Sequence, residues 1–555
     1  MHTPTTPASP RTRGRRAALA AASVVLVACG ALALVPPTSA GYTDATYAQA
    51  DLTTELTLLP VPYDQSAGTG LFLTPDGALY TSGQRASGNG AGGTSTAADA
   101  PTRVAFPAGT VVVEAIGSSN DFSDSAATSW AALDADGHVW TWGRPMGLPG
   151  LLGRGPLSLA ASYTPGQVVL APGAGSLPRF IDLERIENQF LALDESGRMW
   201  AWGYGGENLP LSSLNPTGNS YPTVVDAVAV TPGAGACTGA NNGGAVTWHS
   251  IWGGNNAAAA VSTSGLVYTW GYDHGALDGT WTIQRCPILN DQANRALFRA
   301  HPDLYTTADG RTYDESVLTT ETERLARYTE IVQHRRPRTL EACAAPVAKT
   351  VTTVDDSGCP VRQFGYSARA PRMLLAGGDL YTWQVATEVV SGAPMLGRAS
   401  TSNTWTVEGS RYRATVALRG VEETSAGIGH VRALLADGRV LGWGRNSHCQ
   451  AIGARASGAG SCDSPVAAEI VTLPREVVGQ PAGITRLATT ACLSWMASAD
   501  GALWASGAGS DAGYAFVQCA AGVPAAPAYD QTPPHRDGTP YGTRVTQNLS
   551  VRQLR

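Results

Sequence analysis

Residues that could do chemistry are few in this 555-residue chain, and their spacing matches no common catalytic or metal site. The nine histidines are scattered, and no two of them are four residues apart, as a helical zinc pair would require. No serine-nucleophile elbow and no phosphate-binding loop is present. Asp134 and Asp136 flank a turn and could suggest calcium, but the further ligands of a calcium loop are lacking, which favours a hairpin turn. The sequence therefore predicts no catalytic, cofactor-binding or metal-binding residue.

Cysteines are a second source of chemistry. Eight remain apart from Cys29, and an even number in an exported chain indicates disulfide bonds. Sequence alone does not assign their connectivity. The absence of a Cys-x-x-Cys pair argues against a zinc site. Pairing of neighbours along the chain would join Cys237 with Cys286, Cys343 with Cys359, Cys449 with Cys462, and Cys492 with Cys519.

Tryptophans could form a sugar-binding platform or a buried core. Paired rings such as Trp140 and Trp142 lie two residues apart, which places both on one face of a strand and favours a core. Other tryptophans fall outside this regular spacing and are the better candidates for a binding surface. These candidates are Trp248, Trp252, Trp281 and Trp405, although the segment 246–252 still alternates like a strand.

The elements that must position these residues recur along the chain. Each copy is an apolar strand, a turn that ends in glycine, and a second strand that usually ends in Trp-Gly. The separations between successive turn glycines are 60, 60, 68, 113, 60 and 63 residues, and the value of 113 leaves room for a degenerate copy at Gly310. A repeated phrase of this kind indicates an array of one supersecondary unit. The turn glycines are Gly77, Gly137, Gly197, Gly265, Gly378, Gly438 and Gly501.

Each copy is typical of a β-hairpin, because Asp-Gly or Ser-Gly supplies the positive φ of a tight turn. Further strand patterns flank most hairpins, which gives about four short strands per unit, the content of one propeller blade. The segment Gly429–Asn446, with its Gly-His, Asp-Gly and Trp-Gly-x-Asn, resembles the repeat of the regulator-of-chromosome-condensation family. The resemblance covers roughly residues 66–510. The Gly-Gln-Leu-Gly that normally follows is replaced here by His448-Cys449-Gln450-Ala451, and only Gly429-His430 keeps the family's Gly-His before the strand.

This resemblance implies an all-β fold, a β-propeller of seven four-stranded antiparallel blades, with eight blades left open by Gly310. It also implies that His430 packs between blades instead of acting as a general base. We expect loop insertions and one short helical insertion at about 315–342. The apolar face of that helix would contain Leu318, Leu325, Tyr328 and Ile331.

The first 40 residues resemble a signal peptide: four arginines, an apolar stretch, and a small-residue cleavage site between Ala40 and Gly41. A lipoprotein lipidated at Cys29 and an uncleaved anchor are alternatives, and all three export the chain to the cell surface or medium. Cleavage would change the net charge from −6 to −10, which disfavours binding to nucleic acid. The single lysine, Lys349, is typical of a GC-rich bacterium such as an actinobacterium.

The remaining segments complete a domain plan. We expect a lead-in strand in residues 41–65, the propeller in residues 66–522, a Pro/Ala-rich segment in residues 523–541, and a closing strand in residues 542–555. The closing strand is predicted to complete the first blade, because closure of the ring removes exposed strand edges.

Three functions are compatible with this plan. The first is a secreted or surface-held, non-enzymatic scaffold that binds a protein or a glycan through its loops. The second is an extracellular hydrolase or lyase that acts on cell-wall or polysaccharide material in the propeller channel. Paired carboxylates about 5–10 Å apart would favour it. The third, suggested by the resemblance, is a secreted inhibitor of an extracellular enzyme.

Overall fold

Seven four-stranded antiparallel sheets make up the fold, which is seen in a computed structural model. Within each sheet the strands follow chain order from the innermost to the outermost, so each sheet is one blade of a seven-bladed β-propeller. All strands belong to one compact unit, Leu56–Arg555. The structure describes residues 58–61, 69–83, 98–119, 128–143, 150–155, 162–186, 189–203, 219–224, 246–254, 257–271, 284–335, 360–367, 370–383, 396–398, 404–405, 411–427, 429–458, 462, 466, 469–489, 493–508 and 548–553.

The strand bounds follow blade by blade. Blade one has β1 (Leu59–Pro60), β2 (Thr69–Leu73), β3 (Leu79–Gly83) and β4 (Ala98–Arg103); blade two has β5 (Val112–Ser119), β6 (Thr128–Asp134), β7 (Val139–Gly143) and β8 (Ser162–Gln167). Blade three has β9 (Phe180–Ile186), β10 (Gln189–Asp194), β11 (Met199–Gly203) and β12 (Asn219–Val224); blade four has β13 (Trp248–Gly253), β14 (Ala257–Ser262), β15 (Val267–Gly271) and β16 (Gln284–Leu289). Blade five has β17 (Val361–Ser367), β18 (Ala370–Leu375), β19 (Leu380–Thr382) and β22 (Thr415–Leu418), with a separate ribbon of β20 (Thr404–Trp405) and β21 (Arg411–Tyr412). Blade six has β23 (Val421–Ala426), β24 (His430–Leu435), β25 (Val440–Arg445) and β26 (Ile470–Glu476); blade seven has β27 (Ile484–Thr489), β28 (Leu493–Ser498), β29 (Leu503–Ala508) and β30 (Asn548–Gln553).

The hairpin between β6 and β7 shows how the repeated turn is built. The carboxylate of Asp134 accepts the backbone N–H groups of Asp136 and His138, at 3.0 and 2.8 Å, and the indole N–H of Trp140 at 2.8 Å. Gly137 completes the turn with a φ of 84°, a conformation that favours glycine. Blade three repeats this arrangement around its own turn aspartate. The turn therefore fixes both the hairpin and the first tryptophan of the following strand.

The turn glycine also joins neighbouring blades. The carbonyl of Gly137 accepts the N–H of Phe180, the first residue of β9, at 2.9 Å. A Cβ at Gly137 would lie 2.9 Å from the Phe180 carbonyl oxygen, so the approach leaves no space for a side chain. The same contact recurs from Gly77 to Val112, Gly197 to Trp248, and Gly378 to Val421. The recurring glycine is therefore needed for assembly of the ring as well as for the turn.

Blades one and seven close the ring through side-chain packing. Phe72 of β2 lies edge-on to Trp495 of β28, with ring centroids 5.8 Å apart. The C-terminal strand β30 pairs with β29 and completes blade seven, so the prediction that it completes the first blade was wrong. The first blade already has four strands of its own, because the short β1 precedes β2 at its inner edge.

A helical insertion follows blade four and contains α1 (Asp291–Ala300) and α2 (Glu321–Arg335). Between them, the degenerate copy at Gly310 forms the repeat's turn but only one isolated bridge, Thr306 with Thr312, so it adds no eighth blade. The sequence predicted one helix near 315–342, whereas the structure has two. None of the described helices is long and apolar enough to cross a membrane.

Helix α2 begins later than its apolar pattern suggested. Thr320 caps it: the Thr320 hydroxyl accepts the N–H of Glu323 at 3.3 Å, and the Glu323 carboxylate accepts the N–H of Thr320 at 2.9 Å. The predicted apolar face is buried at Tyr328 and Ile331, but Leu325 is 53% exposed. Leu318 is buried but precedes the helix, and Leu325 is exposed, so the prediction that all four side chains share one apolar helical face was wrong.

Candidate functional site

The surface tryptophans predicted from the sequence are not at the surface where the structure describes them. Trp248 and Trp252 are buried in β13, the innermost strand of blade four, and Trp248 lies edge-on to Tyr268 at 5.1 Å. Both sit on the first strand of their blade and not on the hairpin that carries the repeat, which is why their spacing differs from it. Trp405 lies in β20, although its side chain is outside the described part of the structure, as is all of Trp281.

One of the four proposed cysteine pairs can be seen. Cys449 and Cys462 are bonded, with an S–S distance of 2.01 Å, in the connection between β25 and β26. Cys286 lies in β16 with its side chain undescribed, and the other five cysteines of the four pairs fall outside the described residues. Cys29 and the predicted cleavage site between Ala40 and Gly41 also fall outside them, so these remain predictions.

Three carboxylates meet on the inner strands of blades two and three. One oxygen from each of Glu114, Asp182 and Glu184 lies within 4.8 Å of the other two. Each carboxylate accepts a backbone N–H from the next blade: Glu114 from Leu183 at 3.1 Å, Asp182 from Ile251 at 3.2 Å. Glu184 likewise accepts the N–H of Gly253, the last residue of β13, at 3.2 Å. The cluster therefore ties three successive blades together.

The same position carries an inter-blade bond elsewhere in the ring. In blade five, Gln363 accepts the N–H of Thr424 at 2.9 Å, and in blade six, Glu423 accepts the N–H of Leu487 at 2.9 Å. Burial raises the pKa of Glu423, although Arg486 and the N–H of Leu487 act to lower it. Because the neutral amide of Gln363 accepts the same inter-blade bond, this position requires a hydrogen-bond acceptor and does not require an ionisable acid.

A β-bulge aims these side chains at the next blade. The register of the inner strand shifts between Val112 and Glu114, between Val361 and Gln363, and between Val421 and Glu423. A bulge redirects the residue that follows it, so the third residue of each inner strand points across the seam. Sequence reasoning missed this site. Its signal was the recurrence of an acceptor at the third residue of the inner strand, in Glu114, Asp182, Gln363 and Glu423.

Close approach of the inner strands makes Gly253 a further seam residue. A Cβ at this position would lie 1.8 Å from the backbone oxygen of Arg185 in blade three. We expect Gly253→Ala to lower the free energy of unfolding by about 1–3 kcal/mol, because the backbone must move to admit a methyl group. Denaturant unfolding measures the effect, with Gly377→Ala as the control, since nothing lies within 4 Å of a Cβ there. Equal effects of the two substitutions would contradict the steric explanation.

The possible metal ligands of the blade-two turn are engaged in holding the turn. Asp134, Asp136 and His138 lie close enough to share an ion, yet both carboxylate oxygens of Asp134 already accept hydrogen bonds. In blade three, Arg198 replaces the histidine and lies 2.9 Å from Asp194. Burial acts to raise the pKa of Asp194, but bonds from Ser196, Trp200 and Arg198 outweigh it and lower the pKa. The position therefore takes a histidine or an arginine, and either side chain bonds to the turn aspartate.

The connections between strands divide the propeller into two faces. In an antiparallel blade, successive connections alternate between the two ends of the strands. The glycine turns and the blade-to-blade connections therefore share one face, which we call the turn face. The connections between first and second strands and between third and fourth strands lie on the opposite face. The helical insertion lies on the turn face, because the Tyr305 hydroxyl donates to the carbonyl of the turn glycine Gly265 at 2.9 Å.

A cleft of about 520 Å³ also opens on the turn face, between blades two and three. The blade-two turn and the connection 167–180 form its walls. Polar side chains come from Asp136, His138 and Arg179, and apolar lining comes from residues such as Val169 and Leu177. Its size lies within the range of small-ligand sites, and its mixed lining suits a ligand with both polar and apolar groups.

The insertion is fixed to blade four by side chains of α1 that bond to the backbone of β15, as a neighbouring strand would. The Asn294 amide oxygen accepts the N–H of Val267 at 2.9 Å, and the Asn294 amide nitrogen donates to the Val267 carbonyl at 3.0 Å. Asn290 caps α1 by accepting the N–H of Ala293 at 2.8 Å. These bonds continue the pairing along β15 and hold α1 against the edge of the blade.

A buried arginine holds the insertion together. Arg295 is 2% exposed and bonds to Asp291 at 2.9 Å, to Glu321 at 2.7 Å, and to the Tyr313 hydroxyl at 3.0 Å. Burial alone would lower the pKa of Arg295, but Asp291, Tyr313 and Glu321 outweigh it and raise the pKa. The guanidinium also lies over the rings of Tyr313 and Tyr328. It therefore connects α1, the intervening loop and α2.

A second ion cluster fixes the insertion to blade five. Glu315 bonds to Arg299 at 2.9 Å and also to Arg413, which precedes β22. Arg299 donates to the carbonyl of Ala414 at 2.7 Å. Since Asn294 and Tyr305 hold the same insertion to blade four, the insertion is a rigid addition to the turn face.

Comparison with known proteins identifies no family for this chain. No family model matches the sequence, and no curated protein matches it. Human WBSCR16 is similar in structure, with a TM-score of 0.49 and 14% identity over 79% of this chain and 85% of that one. Prp20p from Saccharomyces cerevisiae, whose binding to Gsp1p and histones is described with its structure, has a TM-score of 0.48 and 15% identity over 81% and 83% of the two chains. Yeast RCC1 (Prp20) bound to Kap60 has a TM-score of 0.49 and 14% identity over 93% and 90%. The chain is therefore classed as a seven-bladed β-propeller on its own seven sheets.

Proposed function

We propose that this chain is an exported, non-enzymatic binding scaffold that holds a protein or a glycan on its turn face. The observation that carries the proposal is the rigid insertion on that face, fixed to blades four and five at separate points. Two large apolar side chains of the insertion stay outside its core: Val317, 65% exposed, and Leu325, 53% exposed. Loops and additions on a rigid framework commonly carry binding.

The carboxylate cluster of blades two and three supports a scaffold over an enzyme. Glu114, Asp182 and Glu184 each accept a backbone N–H from the neighbouring blade, and Gln363 does the same in blade five. A residue that catalyses by proton transfer must be free to exchange its proton with substrate. These acceptors are instead engaged in holding the ring.

Affinity capture tests the scaffold. The bait is the mature protein, applied to cell-surface and culture extracts of the organism that makes it. Partners that bind the turn face should bind at least about tenfold more weakly to the double variant Val317→Ser, Leu325→Ser, if these residues are anchors. Val466→Ser is the matched control, because Val466 is 47% exposed but lies in the β25–β26 connection on the opposite face. Equal loss with the control, or no enriched protein or glycan, would contradict the proposal.

A hydrolase is the second candidate, favoured by the proximity of Glu114, Asp182 and Glu184. Most glycoside hydrolases act through a pair of carboxylates. The wild-type protein and Asp182→Asn are incubated with cell-wall and polysaccharide substrates, and released reducing ends are measured. Release by the wild type that is lost in a folded Asp182→Asn variant would replace the scaffold proposal by the enzyme.

A further inference from the structure

A group of buried polar side chains lies at the seam between blades six and seven. Arg432, in β24, is fully buried. Its Nε donates to the carbonyl of Ala451 at 3.3 Å, and one terminal nitrogen, Nη2, donates to the Ser506 hydroxyl of β29. The other terminal nitrogen, Nη1, is buried and has no hydrogen-bond partner. The guanidinium therefore crosses the seam with part of its bonding capacity unused.

Two neighbouring side chains, those of Gln450 and His430, also have a buried polar atom without a hydrogen-bond partner. Ser494 of β28 bonds to His430 Nε2 at 2.9 Å and donates to the carbonyl of Gln450 at 3.0 Å. The Gln450 amide oxygen accepts the N–H of His448 at 2.8 Å, while its amide nitrogen, Nε2, has no partner. His430 Nδ1 is also unpaired. The bonds of Arg432 and Ser494 thus converge on the adjacent carbonyls of Ala451 and Gln450, and His430 is joined to them through Ser494.

The charge at this seam is uncompensated. No carboxylate in the described part of the chain forms an ion pair with Arg432, whereas Arg455 in the same blade lies 2.8 Å from Glu469. Burial lowers the pKa of Arg432 to about 9, so the group remains protonated at neutral pH. Burial lowers the pKa of His430 to about 3, and Arg432 and Arg445 add to this effect. A buried cation without a counter-charge is strongly destabilising.

We propose that a small monovalent anion of the size of chloride binds in this seam, held by Arg432 Nη1 and Gln450 Nε2. Such an ion would accept from both unpaired donors and would neutralise the guanidinium. A buried water would satisfy the donors but leave the charge in place. The anion would belong to the native state only, because its donors come from separate segments that folding brings together. Its binding is therefore coupled to the stability of the fold.

Chloride dependence of unfolding tests the site in the full mature protein. Chloride is exchanged for gluconate at constant ionic strength, and the unfolding equilibrium is measured with denaturant. Above the dissociation constant, each tenfold rise in chloride should favour the folded state by about tenfold, as expected for one bound ion. Arg432→Met should lose this dependence. Arg455→Met is the control: it breaks a buried ion pair and should be less stable, yet should keep the chloride dependence.

A second measurement needs no variant and distinguishes an ion from water. Crystals of the wild-type protein grown with bromide in place of chloride should show an anomalous peak within bonding distance of Arg432 Nη1 and Gln450 Nε2. An ordered water without anomalous signal at this position would overturn the proposal. Equal chloride dependence in Arg432→Met and the wild type would also overturn it, because the effect would then arise elsewhere on the protein.

Discussion

Replacing Arg295 with methionine should lower the free energy of unfolding of the insertion by about 3–5 kcal/mol, the usual effect of removing one partner from a buried ion cluster. The substitution leaves the carboxylates of Asp291 and Glu321 without their common cation. It also removes the hydrogen bond to the Tyr313 hydroxyl. Because methionine fills a similar volume, the loss reports charge and hydrogen bonding more than packing. Hydrogen exchange of the amides of α1 and α2 measures the local effect.

Arg311→Met is the matched control for this prediction. Arg311 also bonds to two carboxylates, Asp309 at 2.7 Å and Glu330 at 3.1 Å, but its side chain is 50% exposed. Water screens such pairs, and their contribution to stability is small. We therefore expect amide exchange in the insertion to be almost unchanged in Arg311→Met. If both variants accelerated exchange equally, burial of Arg295 would not be the cause of its importance.

Removing the disulfide by the double substitution Cys449→Ser, Cys462→Ser should lower the free energy of unfolding by about 3 kcal/mol in the chain-entropy account. The bond closes a segment with a sequence separation of 13. That segment also presents the carbonyls of Gln450 and Ala451 to Ser494 and Arg432 at the seam between blades six and seven. We therefore expect the loss to spread from the loop into blade seven.

Thermal and denaturant unfolding under non-reducing conditions measure the global effect, and hydrogen exchange of β28 measures the effect on the seam. Wild-type protein treated with a reductant provides a comparison without substitution. If the stability fell but exchange of the β28 amides were unchanged, the disulfide would stabilise only its own loop and would have no influence on blade seven.

The sequence predicted the blades well because the repeated glycine has two structural functions at once. Gly137 adopts the positive φ of the turn and also approaches the backbone of Phe180, and either requirement alone excludes most side chains. This explains why the seven clear copies correspond to the seven blades. The degenerate copy at Gly310 shows the limit of the signal. Its turn bonds match those of the repeat, but helices flank it in place of strands.

The parts that the sequence did not predict depend on contacts between distant segments. Trp248 looks irregular along the chain, yet its surroundings in β13 bury it against Tyr268. The inter-blade acceptors could not be found by strand alternation, because the bulge before Glu114 breaks the period of two on which alternation relies. Arg295 gave no signal either, since its partners Tyr313 and Glu321 lie well beyond the helix that carries it.

Blades one and seven, at the two ends of the chain, each consist of four consecutive strands. This arrangement affects how such a protein can evolve. From β1 to β30, each blade is made by one continuous stretch of chain, and none of the described strands pairs into a neighbouring blade. Duplication or deletion of a coding segment of one repeat would therefore add or remove a whole blade and leave the others intact. The ring is closed by surfaces such as that between Phe72 and Trp495, so a newly copied blade needs only a matching flank to be accommodated.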